Sequence, residues 1–227
     1  MVRDPSGLLT CLLNPLAVNT LSIRVVGIFI LCLLFAEAAV AATASPAPTI
    51  LVVGDSLSAG FGIKLEQGWV ALLQKKLAQE GYGHRVVNAS ASGETTGGAM
   101  TRLPRALAQH QPAVVILELG GNDGLRGLPV GDIHANFERM IGLATQAGAR
   151  VLLIGMRMPP NYGPQYTQAF DGLYAELARE HRLALVPFFL DGIALDDGLL
   201  QDDGIHPTAA AQPGLLATVW PRLRPLL

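Results

Sequence analysis

The chain has 227 residues, half of them hydrophobic and 15% charged, with a formal net charge of -2. That is enough apolar material for one domain with a sizeable core. With only three lysines, Lys64, Lys75 and Lys76, there is no basic stripe to hold nucleic acid, so that partner is excluded.

Residues 1–45 read as a leader. Arg24 precedes the twelve-residue apolar run Val25 to Ala36, which is followed by Ala39-Val40-Ala41 and an Ala/Ser/Pro-rich stretch. Positive flank, apolar stretch and small-residue cleavage site are the order of a secretory signal peptide, with cleavage expected near 41/42. Twelve residues fall short of the roughly 20 that span a bilayer, so no stable membrane span is expected after processing. Both cysteines, Cys11 and Cys32, lie in this leader. The expected location is therefore periplasmic or secreted, with no disulfide in the mature chain.

From residue 46 onward, short β-branched runs alternate with longer amphipathic segments. Strands are expected at Thr49 to Val53, Arg85 to Asn88, Ala113 to Glu118, Arg150 to Ile154 and Ala184 to Val186. Helices are expected between and after them, at Gly68 to Glu80, Gly98 to His110, Asp132 to Ala147, Tyr166 to His181 and Thr208 to Leu223. The pattern is that of βαβ units on a five-stranded parallel sheet, hence one α/β domain over 46–227. Sites in such sheets form at the carboxyl ends of the strands.

Polar clusters stand at those ends. Gly54-Asp55-Ser56-Leu57-Ser58 follows the first strand and offers Ser56 as a nucleophile, although Gly, Asp and Ser also make ordinary turns. Asn88 to Thr96 follows the second strand and includes Gly93; Gly120-Gly121-Asn122-Asp123 follows the third. Acyl transfer needs donors aimed at a developing oxyanion, and the amides of Ser56 and Gly93 with the side chain of Asn122 can supply three. Near the end, Asp203 precedes His206 by three residues, a spacing one turn can fold so that the carboxylate meets the ring, with Asp202 a competitor for that role. Ser56, Asp203 and His206 are the candidate catalytic residues. The other histidines, His84, His110, His134 and His181, need only surface or capping roles.

No His-x-x-x-His pair or tight ligand cluster marks a metal site, and neither phosphate-loop nor dinucleotide fingerprint is present. No metal and no cofactor are expected. The Gly-x-Ser-x-Gly elbow of α/β-hydrolases is absent around Ser56.

Gly54-Asp55-Ser56-Leu57-Ser58, Gly93, Gly120-Gly121-Asn122-Asp123 and Asp203-x-x-His206 together resemble, in order, the four blocks of the SGNH (GDSL) hydrolase family. The longer strings around Ser56, Asn122 and His206, with Pro160-Asn161-Tyr162-Gly163, are similar to its bacterial periplasmic thioesterase, lysophospholipase and arylesterase subgroup. The resemblance covers roughly Thr49 to Leu223. It implies a flavodoxin-like three-layer α/β/α sandwich with strand order 2-1-3-4-5, Ser56 as nucleophile, His206 as base, Asp203 as its orienter, and an oxyanion hole of Ser56, Gly93 and Asn122. It also implies a small-molecule ester or thioester substrate with an acyl chain, and Leu125, Met158 and Pro159 as lining residues; a monomer is expected. Two other readings stay open on this pattern: a carbohydrate acetyl esterase with the same triad, and a non-catalytic binding module on the same scaffold.

Overall fold

Five parallel strands in the order β2-β1-β3-β4-β5 form the centre of the protein; the computed structural model describes residues 47–227. The leader, its cleavage site and both cysteines lie outside the described residues. The strands are β1 (Thr49–Gly54), β2 (Arg85–Asn88), β3 (Val114–Glu118), β4 (Arg150–Ile154) and β5 (Ala184–Val186). All five lie within a residue of their expected bounds.

Two of the three inner strands, Thr49-Ile50-Leu51-Val52-Val53-Gly54 and Val114-Val115-Ile116-Leu117-Glu118, are buried at every position, and β4 is buried at all but its first residue, Arg150. Continuous apolar strands of this kind have both faces covered by helices, as parallel sheets require. Edge strand β2 is exposed at both ends and half-buried between them.

The helices are α1 (Ser56–Ala59), α2 (Trp69–Gln79), α3 (Thr96–His110), α4 (Gly121–Leu125), α5 (Val130–Gln146), α6 (Pro164–His181) and α7 (Gln212–Leu223). Helices α2 and α7 pack together; α3, α5 and α6 pack side by side in a second group. Each long helix buries a stripe at helical spacing, for example Ile133, Phe137, Met140, Ile141 and Ala144 of α5. The result is the expected three-layer sandwich.

The differences from the sequence expectation fall at helix starts. Helix α3 begins at Thr96 because the Thr95 side chain accepts the Gly98 amide at 3.2 Å and so caps it two residues earlier than expected. Helix α7 begins later, at Gln212, since Ala209–Ala211 form a 3-10 turn first. Two short helices, α1 and α4, were not expected at all, and both carry site residues.

Candidate active site

Ser56 is the first residue of α1, directly beyond β1, and is 8% exposed. A four-residue helix has no cooperative stability of its own, so its ends must be held. Asp55 does this: its Oδ1 accepts the Leu57 amide at 3.0 Å, while its Oδ2 accepts the Asn122 side-chain amide at 3.1 Å. One carboxylate thus caps the serine helix and aims Asn122. Burial pushes the Asp55 pKa up to about 6, outweighing the Leu57 amide, the nearby His206 charge and the Asn122 hydrogen bond, which pull it down.

His206 sits in a tight turn. The Gln201 amide donates to the His206 carbonyl at 2.8 Å, and Leu200 bridges to Pro207. Asp203 Oδ1 accepts the amides of Ile205 and His206, each at 2.9 Å, and its Oδ2 lies 2.6 Å from His206 Nδ1. The His206 backbone and ring hydrogen bonds hold the Asp203 carboxyl down at about 2, so it is ionised at neutral pH. An ionised carboxylate only accepts, so Nδ1 carries the proton of the neutral ring and Nε2 is left as the acceptor. That Nε2 stands 2.9 Å from Ser56 Oγ. The structure brings Asp203 to the ring, not its competitor Asp202.

The remaining expected residues gather at the same sheet edge. The loop after β2 continues the ladder along β1, with Ala89 N donating to Val52 O and Ala91 N to Gly54 O, and Gly93 follows two residues later. Gly93 has φ +75°, and a Cβ there would meet nothing within 4 Å. The glycine answers a left-handed backbone rather than a crowded neighbour. Arg126 donates to the Gly93 carbonyl at 3.1 Å, anchoring that loop to the segment after α4. Asn122 lies in α4, which is tied down by Asp123: this buried carboxylate accepts the Thr96 amide and, at 2.6 Å, its hydroxyl.

Helix α4 also presents Leu125 to an apolar groove of about 440 Å³. Met158 and Pro159 line the same groove, as do Met156, Phe188, Leu190 and Ile205. All three expected lining residues are therefore in one place. Among the described residues, His134 of α5 lies 3.5 Å from Glu138 of the same helix and 3.7 Å from Glu180 of α6.

Three contributors escaped the sequence reading. The second role of Asp55, toward Asn122, spans 67 residues of sequence, and the Arg126–Gly93 contact spans 33. The third is Glu118, fully buried at the end of β3, whose Oε2 accepts the Ser58 hydroxyl at 2.6 Å. A Cβ on Gly54 would lie 2.8 Å from that oxygen, so only glycine fits at the strand end. A charged residue inside an apolar strand run is the one signal the sequence carries of it.

Chemically, the arrangement can take a proton from Ser56 Oγ onto Nε2 while Asp203 steadies the ring, beside amides able to hold an oxyanion. The GDSL-like lipase/acylhydrolase family model matches residues 52–212. Esterase TesA of Pseudomonas aeruginosa is 56% identical over 181 residues, covering 80% of this chain and 90% of that protein. An arylesterase of Vibrio mimicus is 44% identical (72% of this chain, 82% of that protein). The thioesterase 1/protease 1/lysophospholipase L1 of Escherichia coli K12 is 42% identical (81% and 87%). A crystal structure of TesA superposes with a TM-score of 0.77 at 56% identity, covering 79% of this chain and 99% of that one. The chain belongs to the GDSL-like lipase/acylhydrolase family, a family of hydrolases.

Proposed function

We propose that the protein is a periplasmic serine esterase that cleaves carboxylic esters and thioesters through an acyl-enzyme on Ser56. The observation that carries this is the unbroken relay from Ser56 Oγ to His206 Nε2 at 2.9 Å and from His206 Nδ1 to Asp203 at 2.6 Å. Ser56 Oγ attacks the substrate carbonyl as its proton passes to Nε2. The oxyanion takes the amides of Ser56 and Gly93 and the side chain of Asn122. The Ser56 amide opens α1, so it is one of the donors a helix start leaves without an internal acceptor. His206 then gives the proton to the leaving alcohol or thiol, and a water activated by the same nitrogen releases the acid.

The substrates follow from the groove. Its lining by Leu125, Met156, Met158 and Phe188 suits an aliphatic acyl chain, so aryl and short-to-medium acyl esters, acyl thioesters and lysophospholipids are the expected classes. A sugar deacetylase needs a polar platform at that position instead. The relatives named as esterase, thioesterase and lysophospholipase support the same range. Among the described residues no helix is long and apolar enough to cross a membrane.

The test is hydrolysis of p-nitrophenyl esters of rising chain length, an acyl thioester, a lysophospholipid and an acetylated sugar by wild type and Ser56→Ala. The variant is expected to lose at least three orders of magnitude in kcat, since triad parts act as a unit. Fluorophosphonate should label wild type on Ser56 and leave the variant untouched. Wild-type rates in Ser56→Ala overturn the assignment.

A further inference from the structure

Phe61 follows the serine helix on the β1 side of the site and does not line the acyl groove, which is built from segments after β3, β4 and β5. Its ring lies against His206, centroids 4.4 Å apart and planes at 39°, yet the residue is 48% exposed. An aromatic side chain left half in water is normally free to move; this one is held at both of its backbone groups. Its amide donates to the Ser56 carbonyl at 3.1 Å, and its carbonyl accepts Gln201 Nε2 at 2.9 Å. The same Nε2 donates to the Pro207 carbonyl at 3.0 Å. One side-chain amide therefore links Phe61 to the residue following His206, and Phe61 is fixed with respect to nucleophile and base together.

In the acylation step the carbonyl carbon gains a bond to Ser56 Oγ and loses its bond to the leaving oxygen or sulfur. The proton taken from Oγ travels on Nε2 to that leaving atom, which must lie within hydrogen-bond reach of the imidazole. The acyl chain takes the groove and the oxyanion takes the amide donors. What is attached to the leaving atom is thereby directed past the edge of His206, where Phe61 presents an exposed ring on a backbone held at both sides.

We propose that Phe61 is the leaving-group platform of the site and sets a preference for aryl over alkyl leaving groups by stacking on the departing ring. The proposal rests on Ser56 being the acylated nucleophile. It also predicts that discrimination on the two sides of the scissile bond is separable: groove residues read the acyl chain, and Phe61 reads the alcohol.

The experiment holds the acyl group constant and varies the other side, comparing phenyl butyrate with 2,2,2-trifluoroethyl butyrate on wild type, Phe61→Ala and Phe61→Tyr. The aryl-to-alkyl ratio of kcat/KM is expected to fall roughly three- to tenfold in Phe61→Ala, the size expected for losing one aromatic pair, and to survive in Phe61→Tyr. An equal loss on both esters, or an unchanged ratio, overturns the proposal and leaves the ring as a support for His206 alone. Labelling by a fluorophosphonate, whose fluoride carries no ring, separates the two levels. Absence of labelling in wild type defeats the nucleophile reading itself, whereas labelled Phe61→Ala protein with a wild-type ratio defeats only the platform.

Discussion

Beneath Ser56, Asp55 and Glu118 are two buried carboxyls that burial pushes in the same direction. Asp55 retains two donors, Leu57 N and Asn122 Nδ2, and rises only to about 6. Glu118 is fully buried, repelled by Asp55, and has an Oε1 without a hydrogen-bond partner among the described residues; its pKa is raised well above the ordinary 4.5. A neutral acid is the state such a site tolerates, because an unpaired buried carboxylate costs far more than an unpaired acid oxygen. The folded chain therefore keeps a proton on Glu118 to higher pH than the unfolded chain does. Stability from this group is full below the ordinary carboxylate value and is lost as pH rises toward the raised one. Glu118→Gln keeps the acceptor for Ser58 and removes the titration. Melting temperatures between pH 5 and pH 8 should therefore fall a few degrees more steeply in wild type than in Glu118→Gln, at about 2–4 °C per kcal/mol for a domain of this size. Parallel slopes would show that Glu118 does not carry the proton.

At the scale of elements, the serine helix and the histidine turn are joined under the site as well as across it. Ser58 of α1 donates to Glu118 and accepts Trp69 Nε1 at 3.2 Å. The Trp69 backbone amide, first in α2, donates to Gln212 Oε1 at 2.9 Å, and Gln212 Nε2 donates to the Thr208 carbonyl, two residues beyond His206. Gly68 offers α2 no capping side chain, so the first residue of α7 supplies the missing acceptor. Gln212→Leu leaves the buried Trp69 amide unpaired and should cost about 1–3 kcal/mol, read by denaturant titration. A change under about 0.5 kcal/mol would mean that another group takes over the amide. None of this was legible along the chain. Gln212 lies 143 residues from Trp69, and no local pattern marks either as a partner of the other. Helices α1 and α4 were hidden for a related reason: each is too short to show a periodic apolar face, and distant groups help to hold each, Glu118 on Ser58 of α1 and Thr96 on Asp123 of α4.

For the molecule as a whole, sheet order decides which loops share the groove. Segments after β3, β4 and β5 converge there, so Leu125, Met158 and Ile205 meet although they lie far apart in sequence. Met158 is 8% exposed and packs close to Gly124. Met158→Trp should fill part of the groove and shorten the acyl chain it accepts. Excluding three methylenes at about 0.8 kcal/mol each costs about 2.4 kcal/mol, so the octanoyl-to-acetyl ratio of kcat/KM is expected to fall on the order of 50-fold. A ratio equal to wild type would remove Met158 from the acyl path.

What the sequence determines by itself is local in origin: five short β-branched runs, the helices between them, and polar residues after each strand that parallel-sheet geometry must bring to one edge. Ser56, Gly93, Asn122, Asp203 and His206 were readable because each lies in a short motif beside a strand end or within one turn. The tertiary structure alone decided what holds Asn122 and Gly93 in place, and that Glu118 belongs beneath the site rather than at the strand's solvent edge. Those outcomes depend on contacts between residues dozens of positions apart and on how deeply a group is buried, and both arise only when the sheet closes under its helices.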